Sequence, residues 1–180
     1  GSGTFCIEAA LIGRNIPAGY YRKGFAFQKW HHFDNRLWYQ IVTEAKENIL
    51  HERLPIIGYD NISANIDLSR QNSRRILIHN YVWFKKAEIS DFKPEKPGVI
   101  IINPPYGERL GEENEITPLY QLMGDVLKTN CQDADAFILS GNMELAKYIG
   151  LKPENKIPLK NGKIDCRLLH YPIRHGKYAD

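Results

Sequence analysis

The residues best suited to chemistry are Asn103-Pro104-Pro105-Tyr106, which follow at once on the apolar run Val99-Ile100-Ile101-Ile102. Two successive prolines fix the backbone and remove two N–H donors, so the neighbouring carbonyls are expected to point outward as acceptors. An amide side chain precedes them and an aromatic ring follows. The combination suits methylation of an exocyclic amine, a poor nucleophile because its lone pair is delocalised into the base ring. With the Asn103 side-chain oxygen and the Pro104 carbonyl accepting its two hydrogens, the nitrogen is drawn toward tetrahedral geometry and its lone pair is aimed at a methyl donor. No strong base is required. Tyr106 would hold the base by stacking, worth about 1–3 kcal/mol, once the base has left any helix it occupied. The rate would come from positioning and fixed dipoles that favour in-line transfer from a sulfonium.

Further candidates stand where open α/β sheets bind ligands, at the carboxyl ends of expected strands. Asp60 ends the run Ile56-Ile57-Gly58-Tyr59. An acid there can accept hydrogen bonds from both hydroxyls of a ribose, although an exposed turn aspartate would read the same way. Glu88 ends the next strand and is a similar candidate, or a plain strand cap. Gly1-Ser2-Gly3 opens an apolar helical stretch and would let the backbone approach a ligand at a helix N-terminus, though such turns also serve as ordinary loops.

The elements that must position these residues alternate between two periodicities. Helices are expected over residues 5–11, over Trp38, Ile41, Val42, Ala45 and Ile49 with Pro55 breaking the pattern, over 63–76, and over 142–149. Thr117-Pro118 reads as an N-cap and first-turn proline opening another helix, with Leu119, Leu122, Met123, Val126 and Leu127 on one stripe. Strands are expected at 56–60, 81–87 and 136–139, and at 99–102, whose unbroken β-branched run suggests burial on both faces of a parallel sheet. Asn161-Gly162 between two partly alternating arms signals a hairpin. The pattern predicts a doubly wound α/β sheet with a late antiparallel strand.

One domain of 180 residues, 43% hydrophobic and 25% charged, is globular rather than disordered, and no apolar run is long enough for a membrane span. The net charge of +3 hides a division. Residues 14–36 carry Arg14, Arg22, Lys23, Lys29 and Arg36 against Asp34, interleaved with Tyr20, Tyr21, Phe25, Phe27 and Trp30. Residues 67–86 repeat that balance, and residues 87–125 hold eight acids against three bases. Basic charge among aromatics suits an RNA surface; a solvated face over core aromatics is the alternative. Cys6, Cys131 and Cys166 are far apart and odd in number, which fits a reduced, cytoplasmic setting. The six histidines have no ligand spacing, so no metal is expected.

Gly1-Ser2-Gly3-Thr4-Phe5, Ile7-Glu8-Ala9-Ala10 and Asn103-Pro104-Pro105-Tyr106-Gly107-Glu108-Arg109-Leu110-Gly111 resemble the S-adenosylmethionine-dependent RNA methyltransferases that carry an N-terminal THUMP domain, specifically the bacterial large-subunit (23S) rRNA guanine-N2 methyltransferases. Phe25-Ala26-Phe27-Gln28-Lys29-Trp30 and the segment from Asn161-Gly162 to Leu169 match as well, so the resemblance covers essentially the whole chain. The four-residue motif is shared by many amino-methyltransferases of DNA, RNA or protein; the continuation to Gly111 is far more specific.

The resemblance implies a Rossmann-like class I methyltransferase domain over residues 1–180, with its first strand and a THUMP-type domain upstream. It also implies S-adenosylmethionine as cofactor and rRNA as substrate. The implied cofactor contacts are Gly1, Ser2, Gly3, Thr4, Asp60, Asn61, Glu88 and Asn103, and the implied catalytic residues Asn103, Pro104, Pro105 and Tyr106. The family's Asp-Pro before the glycines is absent here, and Glu88 stands where the family usually has Asp. An adenine-N6 methyltransferase acting on DNA or RNA, and an RNA-binding module without turnover, remain the alternatives.

Overall fold

The computed structural model describes residues 1–107 and 112–176, and the chain falls into two compact units, Gly1–Ala87 and Glu88–Asp180. The first unit holds α1 (Thr4–Gly13), a 3₁₀ turn at Ala26–Lys29, α2 (Asn35–Glu47), β1 (Ile56–Asp60), α3 (Ser63–Arg75) and β2 (Val82–Lys86). β1 and β2 pair in parallel, from Ile56 opposite Val82 to Asp60 opposite Lys86, and α3 is the crossover such a pair needs. Ala10 of α1 and Ile66 of α3 share one core with Ile78, Val82 and Phe84. Alternation along β2 sends Val82 and Phe84 into that core and leaves Trp83 exposed.

α2 starts at Asn35, three residues before the first residue of its apolar stripe. The Asp34 carboxylate accepts the N–H groups of Arg36 (2.9 Å) and Leu37 (3.0 Å), satisfying two donors that a helix start leaves without intrahelical partners. The basic and aromatic window just before it divides between the two readings. Phe25, Phe27, Phe33 and Trp38 pack ring against ring at 5.2–6.4 Å, a small core of their own. Arg14 is buried, with its guanidinium 3.5 Å from the Tyr81 ring centre and its Nε donating to the Leu50 carbonyl, so it is not part of a phosphate-facing surface. Trp30, Arg22, Lys23 and Lys29 remain exposed.

The second unit holds a 3₁₀ turn at Ile89–Asp91, β3 (Val99–Ile102), α4 (Glu112–Asn130), β4 (Asp135–Ser140), α5 (Met143–Lys147), β5 (Asn155–Asn161) and β6 (Ile164–Pro172). Its sheet runs β3-β4-β6-β5, with β3 parallel to β4 and β6 antiparallel to both β4 and β5. Tyr120, Met123 and Leu127 of α4 pack with Ala136 and Ile138 of β4 and Leu145 and Ala146 of α5. Asn161 pairs with Ile164, so the hairpin loop is Gly162-Lys163 rather than Asn161-Gly162. Gly162 takes φ +62°, which a two-residue loop with glycine first requires.

Two expectations are corrected. β3 is not buried on both faces: among the described residues it ends its sheet, and Val99 and Ile101 are 68% and 47% exposed while Ile100 and Ile102 pack on the core. Thr117 is not an N-cap, because α4 begins at Glu112 and runs through Pro118. Pro118 is the seventh residue of α4, so it lies past the first turn and removes one intrahelical hydrogen bond. The stripe also missed Tyr120, which is fully buried, and included Leu122, which is not.

Candidate active site

In the first unit, Gly3 caps α1 in the left-handed conformation, φ +79°. A side chain there would be strained, and it would also collide, since a Cβ would lie 2.8 Å from the Ser69 Cβ and 3.0 Å from the Phe84 ring. The loop therefore lies flush on α3. The Ser2 and Thr4 hydroxyls are 2.9 Å apart, the Ser69 hydroxyl donates to the Gly1 carbonyl (2.9 Å) and the Asn72 amide donates to the Ser2 carbonyl (3.0 Å).

Asp60 ends β1. One carboxylate oxygen accepts the Ile62 N–H at 2.9 Å, and the Asn65 amide lies 3.1 Å from both oxygens. Against the effect of its burial, the Ile62 N–H and the Asn65 amide favour the charged carboxylate. Asp60 is thus a cap for the start of α3. Asn61 is the exposed residue that follows it.

In the second unit, Glu88 precedes the 3₁₀ turn Ile89–Asp91 with extended backbone, and its carbonyl accepts the Asp91 N–H. Asn103 follows β3 directly and is exposed, whereas Pro104 behind it is buried. The Tyr106 hydroxyl donates to the Asn103 side-chain oxygen at 2.6 Å. The Pro105 carbonyl does not point outward: the buried Tyr120 hydroxyl donates to it at 3.1 Å. Burial raises the Tyr120 hydroxyl above its ordinary pKa, offset in part by a hydrogen bond with Ser140, so it stays protonated and able to donate. Glu108, Arg109, Leu110 and Gly111 lie outside the described residues.

Around Tyr106 the fold assembles residues that strand-end reasoning did not single out. Gly141, directly after β4, lies so close to the ring that a Cβ there would be 2.8 Å from Tyr106 Cδ2. Asn142 caps α5 through the N–H groups of Glu144 (3.0 Å) and Leu145 (3.1 Å), and its amide reaches the Tyr106 carbonyl at 3.4 Å. Asn161 reaches the Tyr106 hydroxyl from the hairpin at 3.4 Å. Ser140-Gly141-Asn142 stands at a strand's carboxyl end just as Asn103 does, and that rule was the available signal. Asn65, Ser69 and Asn72 were legible only as small polar residues recurring at i, i+4 and i+7.

Residues 1–170 match the family model described as RMKL-like, methyltransferase domain. The chain belongs to this family. As an RMKL-like methyltransferase domain it is 38% identical over 178 residues to a protein of Synechocystis provisionally named an RNA methyltransferase, covering 96% of this chain and 46% of that one. It is 36% identical over 182 residues to the ribosomal RNA large subunit methyltransferase K/L of Methylococcus capsulatus, covering 99% of this chain and 25% of that protein. The chain therefore spans less than half the length of these relatives. A solved structure of SMU.472, provisionally described as a methyltransferase and complexed with S-adenosylhomocysteine, superposes with a TM-score of 0.89 at 34% identity, covering 98% of this chain and 47% of that one. The fold is the Rossmann-like α/β fold of class I methyltransferases.

Proposed function

We propose that this chain is the catalytic domain, over residues 1–180, of an S-adenosylmethionine-dependent enzyme that methylates the exocyclic N2 amine of a guanine in rRNA, within a cytoplasmic protein that also carries a THUMP-type domain. The residues present fit the cofactor. A glycine-bearing loop at the α1 N-terminus, with no room for a side chain at Gly3, and an acid at the end of β1 form a donor and acceptor set for an amino-acid and ribose moiety. Gly1, Ser2, Gly3, Thr4, Asp60, Asn61 and Glu88 would hold it. When bound, S-adenosylmethionine supplies a methyl group on a sulfonium sulfur.

The observation that carries the reading is the Asn103 side chain: exposed, directly after a strand, and fixed by the Tyr106 hydroxyl. An amide oxygen has two acceptor sites. Tyr106 occupies one of them, which leaves the other for an amine hydrogen, and the Pro104 carbonyl accepts the second hydrogen. Buried Pro104 and the Tyr120 bond to Pro105 keep the backbone from yielding as the amine pyramidalises. The Tyr106 ring, backed by Gly141, supplies the flat partner for the base.

The name of the Methylococcus relative points to rRNA. That of a Listeria monocytogenes structure, 31% identical over 95% of this chain with a TM-score of 0.81 and provisionally described as an N6-adenine-specific DNA methylase, favours adenine as the second reading. The full-length protein, given methyl-labelled S-adenosylmethionine with rRNA or with duplex DNA, is expected to label guanine in rRNA. Label in adenine would replace the proposal by the second reading, and RNA retention without label would mark a binding module. Asn103→Ala is expected to lower turnover about 100- to 1000-fold with cofactor affinity nearly unchanged.

A further inference from the structure

The cofactor loop of the first unit is held from below by one face of α3. Asn65, Ser69 and Asn72 occur at i, i+4 and i+7, so they share a stripe of the helix. Each reaches a residue proposed to hold the cofactor: Asn65 donates to both Asp60 oxygens at 3.1 Å, Ser69 to the Gly1 carbonyl at 2.9 Å, and Asn72 to the Ser2 carbonyl at 3.0 Å. Ser69 is 3% exposed, and its single hydroxyl proton is shared between the Gly1 carbonyl and the Asn65 carbonyl 2.8 Å away, so the loop and the helix backbone are tied to one group.

Peptide planarity gives these contacts a direction. In a trans peptide the C=O and the following N–H point to opposite sides. Drawing the Gly1 and Ser2 carbonyls down onto α3 turns the Ser2 and Gly3 N–H groups up and away from it. The same stripe that aims two backbone donors outward also aligns the Asp60 carboxylate.

We infer that Asn65, Ser69 and Asn72 are positioning residues for the cofactor, acting through the loop backbone and Asp60 without touching the ligand. The inference rests on the proposed cofactor reading. A strut of this kind acts on cofactor affinity and leaves the methyl-transfer step alone once the cofactor is bound.

The test uses the full-length protein with Asn72→Ala, Asn72→Asp and Ser69→Ala. Asn72→Asp keeps the shape but replaces the donor by an acceptor facing a carbonyl. Ser69→Ala keeps the Cβ that packs under Gly3 and removes only the hydroxyl. Calorimetric titration with S-adenosylhomocysteine is expected to show affinity weakened about 3- to 10-fold per lost hydrogen bond, with Asn72→Asp weaker than Asn72→Ala. The KM for S-adenosylmethionine should rise in parallel, kcat at saturating cofactor should stay within about twofold of the parent, and melting without cofactor should be unchanged. Unchanged affinity in all three variants, or a fall in kcat at saturation with KM unmoved, overturns the inference. Failure of the parent protein to bind S-adenosylhomocysteine is a separate result: it overturns the cofactor reading itself.

Discussion

Substituting Gly141 by alanine tests whether the position of the Tyr106 ring matters. A Cβ at residue 141 would lie 2.8 Å from Tyr106 Cδ2, 3.1 Å from Cγ and 2.9 Å from Ile164 Cγ2. Carbon atoms in ordinary contact are about 3.5–4.0 Å apart, so the ring must retreat by roughly 0.7–1 Å. The backbone does not resist the change, because Gly141 is not among the positive-φ residues. The effect is then a steric push on Tyr106 and Ile164. The push also draws the Tyr106 hydroxyl off the Asn103 oxygen, a contact of only 2.6 Å. Overpacking of this size costs about 1–3 kcal/mol of stability, and misplacing a positioning group by about 1 Å costs on the order of 100-fold in rate. The expected outcome is a kcat reduced about 10- to 100-fold in single-turnover methyl transfer by the full-length protein, with S-adenosylhomocysteine affinity unchanged and a modestly lower melting temperature. Transfer at the parental rate by a folded Gly141→Ala protein would refute the reasoning that Tyr106 must sit where the structure places it.

Three further outcomes follow from the second unit. Gly124→Ala places a Cβ 1.8 Å from the Ile149 carbonyl oxygen, an overlap with backbone rather than with a movable side chain, so it should destabilise by more than about 3 kcal/mol in denaturant unfolding; a loss under 1 kcal/mol contradicts this packing. Asp135 lies 2.8 Å from His170 Nε2 and 3.0 Å from Arg174 Nη2, and the His170 contact above all holds its carboxyl below the usual range. A depressed folded pKa stabilises above the unfolded value of about 3.9 and loses that effect as pH falls through the folded value. Asp135→Asn should therefore be less stable than the parent at pH 7, with the gap narrowing as the pH falls below about 3.9, and a pH-independent gap would exclude the ion-pair explanation. Burial pushes the fully buried Cys131 thiol up to about 11, so it should resist a disulfide reagent at pH 8 in the folded protein and react on unfolding. Fast labelling in the native state would contradict its burial.

Much of the fold was legible because the deciding signals are local. Val99–Ile102 is a strand with the bounds its β-branched run suggests, and β1 ends at Asp60 as its apolar run does. The helix of residues 63–75 follows from periodicity. The misreadings of β3 and of the Pro105 carbonyl turn on what the fold packs against them. β3 looked doubly buried because composition does not report which face of a strand is covered. The Thr117-Pro118 cap failed because α4 already starts at Glu112. The Pro105 carbonyl, free to point outward on local grounds, is claimed by Tyr120, 15 residues later.

For the candidate site, residue types and spacing by themselves pointed to the proposed chemistry: an amide oxygen, prolines and an aromatic ring directly after a strand suit an amine substrate, and a glycine loop with a strand-end acid suits a nucleoside cofactor. Only the tertiary structure decided how those groups are held. Tyr106 is placed by Gly141 from the next strand and reached by Asn161 from a hairpin 55 residues away. The glycine loop is turned by Ser69 and Asn72, 68 and 70 residues beyond the carbonyls they bind. A hydrogen bond or a van der Waals contact acts over a few ångströms and takes no account of sequence separation, so the groups that orient a site are set by the packing of strands and helices rather than by their neighbours in the chain.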